Sequence, residues 1–148
     1  MSREEDICLY MQSDKVWPGP LNTPTQKRFD RALTEVLRRL PDDIFDTIET
    51  DVTFVVQEPT YWAINVPYSH TVPPRKTHFT FKIDQVIIFS TAFELSDIAL
   101  VGLIAHEIAH SIEERRDHSD NEVAADERVR AWGFEKELAE MLASKHKE

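Results

Sequence analysis

Cysteine occurs once in the 148 residues, at Cys8. A single cysteine excludes an internal disulfide and any thiolate cluster around a metal. No apolar run approaches the ~20 residues that a membrane span requires. Basic residues are also scarce: 17 Lys+Arg stand against 27 Asp+Glu, for a net charge of −10. A protein that grips phosphate backbones needs a basic surface. Nucleic acid is therefore not expected as a partner, and an anionic membrane surface is not expected for the same reason. The first residues, Met1-Ser2-Arg3-Glu4-Glu5-Asp6, lack the basic-then-apolar order of a secretion signal. With the lone cysteine, this makes a reducing, cytoplasmic setting the expectation.

What is present reads as one domain over residues 1–148. Hydrophobic residues make up 41%, and the length suffices to bury a core without staples. Residues 1–22 are weakly patterned and expected to be an irregular arm. Thr23 can cap a helix, Pro24 suits its first position and Gln26 completes a capping box. Phe29, Ala32, Leu33, Val36, Leu37 and Leu40 then recur at helical spacing, which predicts a helix over 24–40 that Pro41 stops. A short second helix is expected over 42–50. Between 51 and 90 the period changes to two. Val52, Phe54 and Val56, then 61–66, 79–83 and 85–90, predict three or four short strands, antiparallel or mixed. The segment from Pro67 to Lys76 reads as a loop at the rim of a site.

From Ile98 to Ile112 the chain is apolar on nearly every side, which marks a central, buried helix. Ser96 is placed to cap it. Residues 113–118 read as a charged connection, and a last helical region runs over 119–145, broken near Gly133. The fold class is thus α+β: a small mixed or antiparallel sheet on a central helix and a second helix, with an N-terminal helix.

The polar exceptions in the central helix are His106, Glu107 and His110, in the order His-Glu-Ile-Ala-His. Residues four apart share a helix face, so two imidazoles can meet one metal ion. Glu107 is turned around the helix and reaches water rather than metal. Burying these groups without partners would be costly. A catalytic zinc commonly takes three protein ligands and leaves a fourth position open. Downstream, Glu122 and Asp126 are again four apart. Small residues on both helices, Ala105 and Ala109 with Ala124 and Ala125, allow close approach. Glu122 can then be the third ligand, with Asp126 accepting the free ring N–H of a histidine, His106 first. Ser119-Asp120-Asn121-Glu122 is also a capping box, in which Glu122 would serve only the helix start. Glu122 and Asp126 can also exchange roles.

With these residues the sequence resembles the gluzincin zinc metallopeptidases, which carry a His-Glu-x-x-His helix and a second helix with Glu-x-x-x-Asp. The match covers 96 to about 132 well, includes Asn121 before the third ligand, and extends loosely to the strands before. Eleven residues separate His110 from Glu122, so the resemblance is to a compact, minimal member. It implies a zincin-like core, a Zn2+ cofactor on His106, His110 and Glu122, and Glu107 as catalytic base. The implied activity is hydrolysis of a peptide or protein substrate by a zinc-activated water. The substrate would add as a strand to a sheet edge, along 79–83 or 86–90.

One departure concerns the oxyanion. Larger gluzincins supply a downstream His or Tyr, and no Tyr follows His110 here. His118 is the best candidate by position, with Tyr61 and Tyr68 as others. Two alternatives of other classes stand beside the enzyme. One is a zinc-stabilised domain without activity, closed by a fourth ligand such as His118 or His146. The other is a latent zincin-like domain that acts as a protein-interaction module through its acidic surface and the Trp17 or Tyr61-Trp62 aromatics.

Overall fold

Ser2 opens the first helix, α1 (Arg3–Met11): its side-chain oxygen accepts from Glu5 N at 3.2 Å, and the Glu5 carboxylate turns back to Ser2 N at 3.5 Å. The computed structural model describes residues 2–17, 22–57, 63–66, 84–117 and 122–145. An irregular arm is expected over 1–22, and α1 corrects that expectation. Its apolar stripe is thin, with only Ile7 and Tyr10 buried. Its anchors lie far along the chain. Arg3 donates to Leu37 O and Leu40 O at 2.9 and 3.0 Å, and Tyr10 Oη donates to Val52 O at 2.6 Å. Local periodicity carries no trace of such contacts. The capping box Ser2…Glu5 was the one local signal of this helix.

A two-residue strand, β1 (Val16–Trp17), leads to α2 (Thr23–Arg39) and α3 (Asp42–Asp51). The α2 cap is Asn22 rather than Thr23, with Asn22 Oδ1 accepting from Thr25 N at 3.0 Å. Asn is at least as good an N-cap as Thr, so the helix starts one residue earlier and Pro24 falls in its first turn. Leu40, forced out of the helical region by Pro41, is extended. Lys15 Nζ donates to Glu49 O and Thr50 O at the end of α3, where exposed carbonyls favour a cation.

Three further strands follow: β2 (Val52–Gln57), β3 (Ala63–Val66) and β4 (Asp84–Phe89). The sheet order is β1-β2-β4-β3, with β1, β2 and β4 parallel and β3 antiparallel to β4. The connection between parallel β1 and β2 contains α2 and α3, as a parallel pair requires a long crossover. Phe54 pairs with Val86 and Val56 with Ile88, and all four are buried on one face. The period-two pattern thus reports the face turned to the core. Strand β4 is paired on both sides, which corrects the expectation that 86–90 could receive a substrate strand. Segment 79–83 lies outside the described residues, as does the loop Pro67 to Lys76.

After a short 3-10 turn (Ser90–Glu94) comes the longest helix, α4 (Asp97–Asp117). Ser96 Oγ accepts from Ala99 N at 3.2 Å. From Ala99 to Glu113 every side chain of α4 is buried, and the helix is enclosed by α2, β3, β4 and the last two helices, α5 (Glu122–Ala131) and α6 (Glu135–Lys145). Residues 113–117 continue the helix instead of forming a connection. Gly102 permits the contact with α6, for a Cβ there would stand 2.3 Å from Glu137 O. Gly133, at φ +93°, breaks the chain between α5 and α6, a conformation that glycine adopts without strain. The architecture is α+β. Among the described residues no helix is long and apolar enough to cross a membrane.

Candidate metal centre

Helix α4 sets His106 and His110 one turn apart, with ring centroids 4.5 Å from each other and planes at 87°. Both imidazoles are almost wholly buried, and their Nε2 atoms face each other at 3.0 Å. The third member comes from the first residue of α5. Glu122 Oε1 lies 2.8 Å from His110 Nε2, and Glu122 Oε2 lies 3.3 Å from His106 Nε2. Small side chains make this approach possible, since Ala105 and Ala109 on α4 and Ala125 on α5 are fully buried. The Glu122 carboxylate is thus turned to the two histidines. Residues 119–121 of the alternative capping box lie outside the described residues.

On the far side of the His106 ring, Nδ1 stands 3.0 Å from Asp126 Oδ1. The approach is close but off-line, so it acts through charge rather than through an aligned hydrogen bond. A carboxylate in that position favours the proton on Nδ1. The His106 Nε2 lone pair then points at a carboxylate oxygen and at the second imidazole. One N–H on His110 can relieve part of this crowding of acceptors, whereas a divalent cation satisfies all three donors at once.

The spacing fits such an ion. Donors bound at about 2.0–2.1 Å in a tetrahedral arrangement stand roughly 3.3 Å apart, against 2.8–3.3 Å here. Opening by a few tenths of an ångström suffices. Two imidazoles and one carboxylate suit zinc, and the imidazoles also suit Ni and Co. Glu122 is 64% exposed, while the two histidines are buried.

Glu107 follows His106 and is buried. Among the described residues the donor atoms that gather within 4.8 Å are those of His106, His110 and Glu122; Glu107 is not one of them. The candidate oxyanion groups His118, Tyr61 and Tyr68, and the candidate fourth ligand His146, lie outside the described residues.

Two residues of the neighbourhood escaped sequence reasoning. Glu113 sits one turn past His110 on α4, and Arg128 Nε donates to its Oε1 at 2.5 Å from α5. The spacing 106, 110, 113 is a single helical stripe, which was the signal available for Glu113. Comparison of the chain with protein-family models, with curated proteins and with solved structures yields no match.

Proposed function

We propose that this chain is a zinc-dependent metallopeptidase of the gluzincin kind, with His106, His110 and Glu122 holding the metal and Glu107 acting as the base. The observation that carries the reading is the convergence of three donors from two helices. Two buried Nε2 atoms and one carboxylate meet within 2.8–3.3 Å, with Asp126 behind His106.

A bound Zn2+ would supply Lewis-acid polarisation of a carbonyl and bring the pKa of attacking water down towards ~7. The rest is done by the chain. Asp126 holds the proton on His106 Nδ1 and so keeps the Nε2 lone pair turned to the donor set. Glu107, one residue on from His106, is turned about 100° around the helix from the ligand pair. It takes the proton of the attacking water and passes it to the leaving amine nitrogen. An extended substrate would add to β3, which α4 contacts and which pairs only with β4 among the described residues. Backbone hydrogen bonds along such an edge give affinity without demanding one side-chain sequence. The exposure of Glu122 supports an accessible site over one sealed by protein.

The test joins metal analysis of the purified chain to cleavage of a broad peptide library. The expected result is one zinc per chain and cleavage that a chelator abolishes and added zinc restores. A zinc-bearing protein that cleaves no peptide would favour the metal-stabilised domain without activity. A protein that binds no divalent metal would overturn the proposal.

A further inference from the structure

Helix α5 carries two of the four residues of the centre, yet little apolar surface orients it. Its buried residues are Ala125 and Val129, one of which is a methyl group. Burial of this kind holds a helix near its neighbour but leaves its rotation and axial position loosely specified, because the hydrophobic effect has no direction. Glu122 and Asp126 need a defined rotation to reach opposite nitrogens of His106.

A directional contact stands where one is needed. Glu113, in the same stripe of α4 as His106 and His110, has a side chain 8% exposed, and the Arg128 side chain that meets it is 19% exposed. The separation is 2.5 Å, through Nε of the guanidinium. The Arg128 guanidinium also lies 6.0 Å from the centre of the Trp132 ring. A buried ion pair is weak as a source of net stability, since desolvation opposes the attraction, and fixing register is its best-attested use.

We propose that Glu113 and Arg128 form a positioning pair for the metal centre: the ion pair sets the rotation of α5 on α4 and so aims Glu122 and Asp126 at His106 and His110. Neither residue touches the metal. The inference rests on the metal-binding reading above. It goes beyond that reading by assigning part of the metal affinity to a contact outside the donor set.

The test is zinc affinity, measured by competition with a chromophoric chelator, beside the denaturant midpoint of the metal-free protein. Arg128→Met and Glu113→Gln are each expected to weaken zinc binding roughly 10- to 100-fold, the range typical of groups that orient metal ligands. The double variant should lose no more than Arg128→Met alone, because both changes break one contact. Arg128→Lys keeps charge but not the planar Nε–H; it should fall between wild type and Arg128→Met. Should Arg128→Met fail to fold, Glu113→Gln and Arg128→Lys carry the measurement. Zinc affinity within twofold of wild type in the folded variants, with only the midpoint lowered, would make the pair merely structural and overturn the proposal. A wild type that binds no zinc overturns the proposal together with the metal reading, and that outcome is distinct from the first.

Discussion

His106 touches Asp126 with one ring nitrogen and Glu122 with the other, at 3.0 and 3.3 Å. One imidazole thus joins two carboxylates of the same helix, each at a different job. Asp126 faces Nδ1, where its proposed role is to favour the proton, and Glu122 faces Nε2. Asp126→Asn is expected to retain the fold and to weaken zinc binding roughly 10- to 100-fold. Chelator competition measures this, and an unchanged affinity would reduce Asp126 to an ordinary helix residue.

The two histidines supply the buried floor of the centre. His106→Ala and His110→Ala are each expected to lose stoichiometric zinc, as read by elemental analysis after gel filtration. Retention of one zinc per chain in either variant would show the ligand assignment to be wrong. Cobalt substitution should give a visible spectrum of low coordination number in the wild type only.

Glu107 separates the enzyme from the alternatives. Glu107→Gln keeps size and hydrogen bonding but removes the carboxylate proposed as the base. It should bind zinc as the wild type does while peptide cleavage falls by roughly 10²- to 10⁴-fold. Cleavage at the wild-type rate would exclude Glu107 as the base.

Gly102 and Gly133 test two different costs of adding a methyl group. At Gly102 a Cβ would meet Glu137 O at 2.3 Å and Glu137 C at 2.6 Å. Both are backbone atoms, so α4 and α6 must part, and Gly102→Ala should destabilise by about 1–3 kcal/mol or more. At Gly133 a Cβ meets nothing within 4 Å among the described residues, and the φ of +93° is what opposes a side chain, so Gly133→Ala should cost about 1–2 kcal/mol. Denaturant titration measures both, and a neutral Gly102→Ala would contradict the close helix contact.

Tyr10 ties α1 to the sheet through its hydrogen bond to Val52 O. Burial, with the Glu49 carboxylate nearby, pushes its phenol far above the usual tyrosine range. The sign follows from linkage: the raised folded value favours the protonated fold, fully so below pH ~10 where the unfolded phenol is also neutral. Above pH ~10 the unfolded state ionises and stability is lost. Tyr10→Phe should cost about 1–3 kcal/mol at neutral pH by leaving the Val52 carbonyl unsatisfied, and should flatten the alkaline loss. Denaturation curves at pH 7 and pH 11 check both parts.

The central helix and its three polar residues were legible because they contradict their surroundings. A stretch apolar on every side predicts burial, and His106, Glu107 and His110 stand out within it. Strand β2 was legible through period two and β4 as a short apolar run, but not their parallel pairing, because neither pattern says anything of strand direction. Helix α1 was not legible: two buried side chains make no stripe, and its partners Leu37 and Val52 lie outside any local window.

What the sequence determined by itself is the local chemistry of the centre. Helical spacing places His106 and His110 on one face and Glu122 and Asp126 on another, whatever the rest of the chain does. Only the tertiary structure decided that the two faces meet, that Glu122 faces the Nε2 atoms and Asp126 the Nδ1 atom, and that β4 is closed on both edges. It also decided that Glu113, expected in a charged connection, pairs with Arg128 in a largely buried contact. The reason is physical: a helix period is set by neighbours a few residues apart, whereas the rotation of one helix against another is set by contacts fifteen residues apart, such as Arg128 to Glu113.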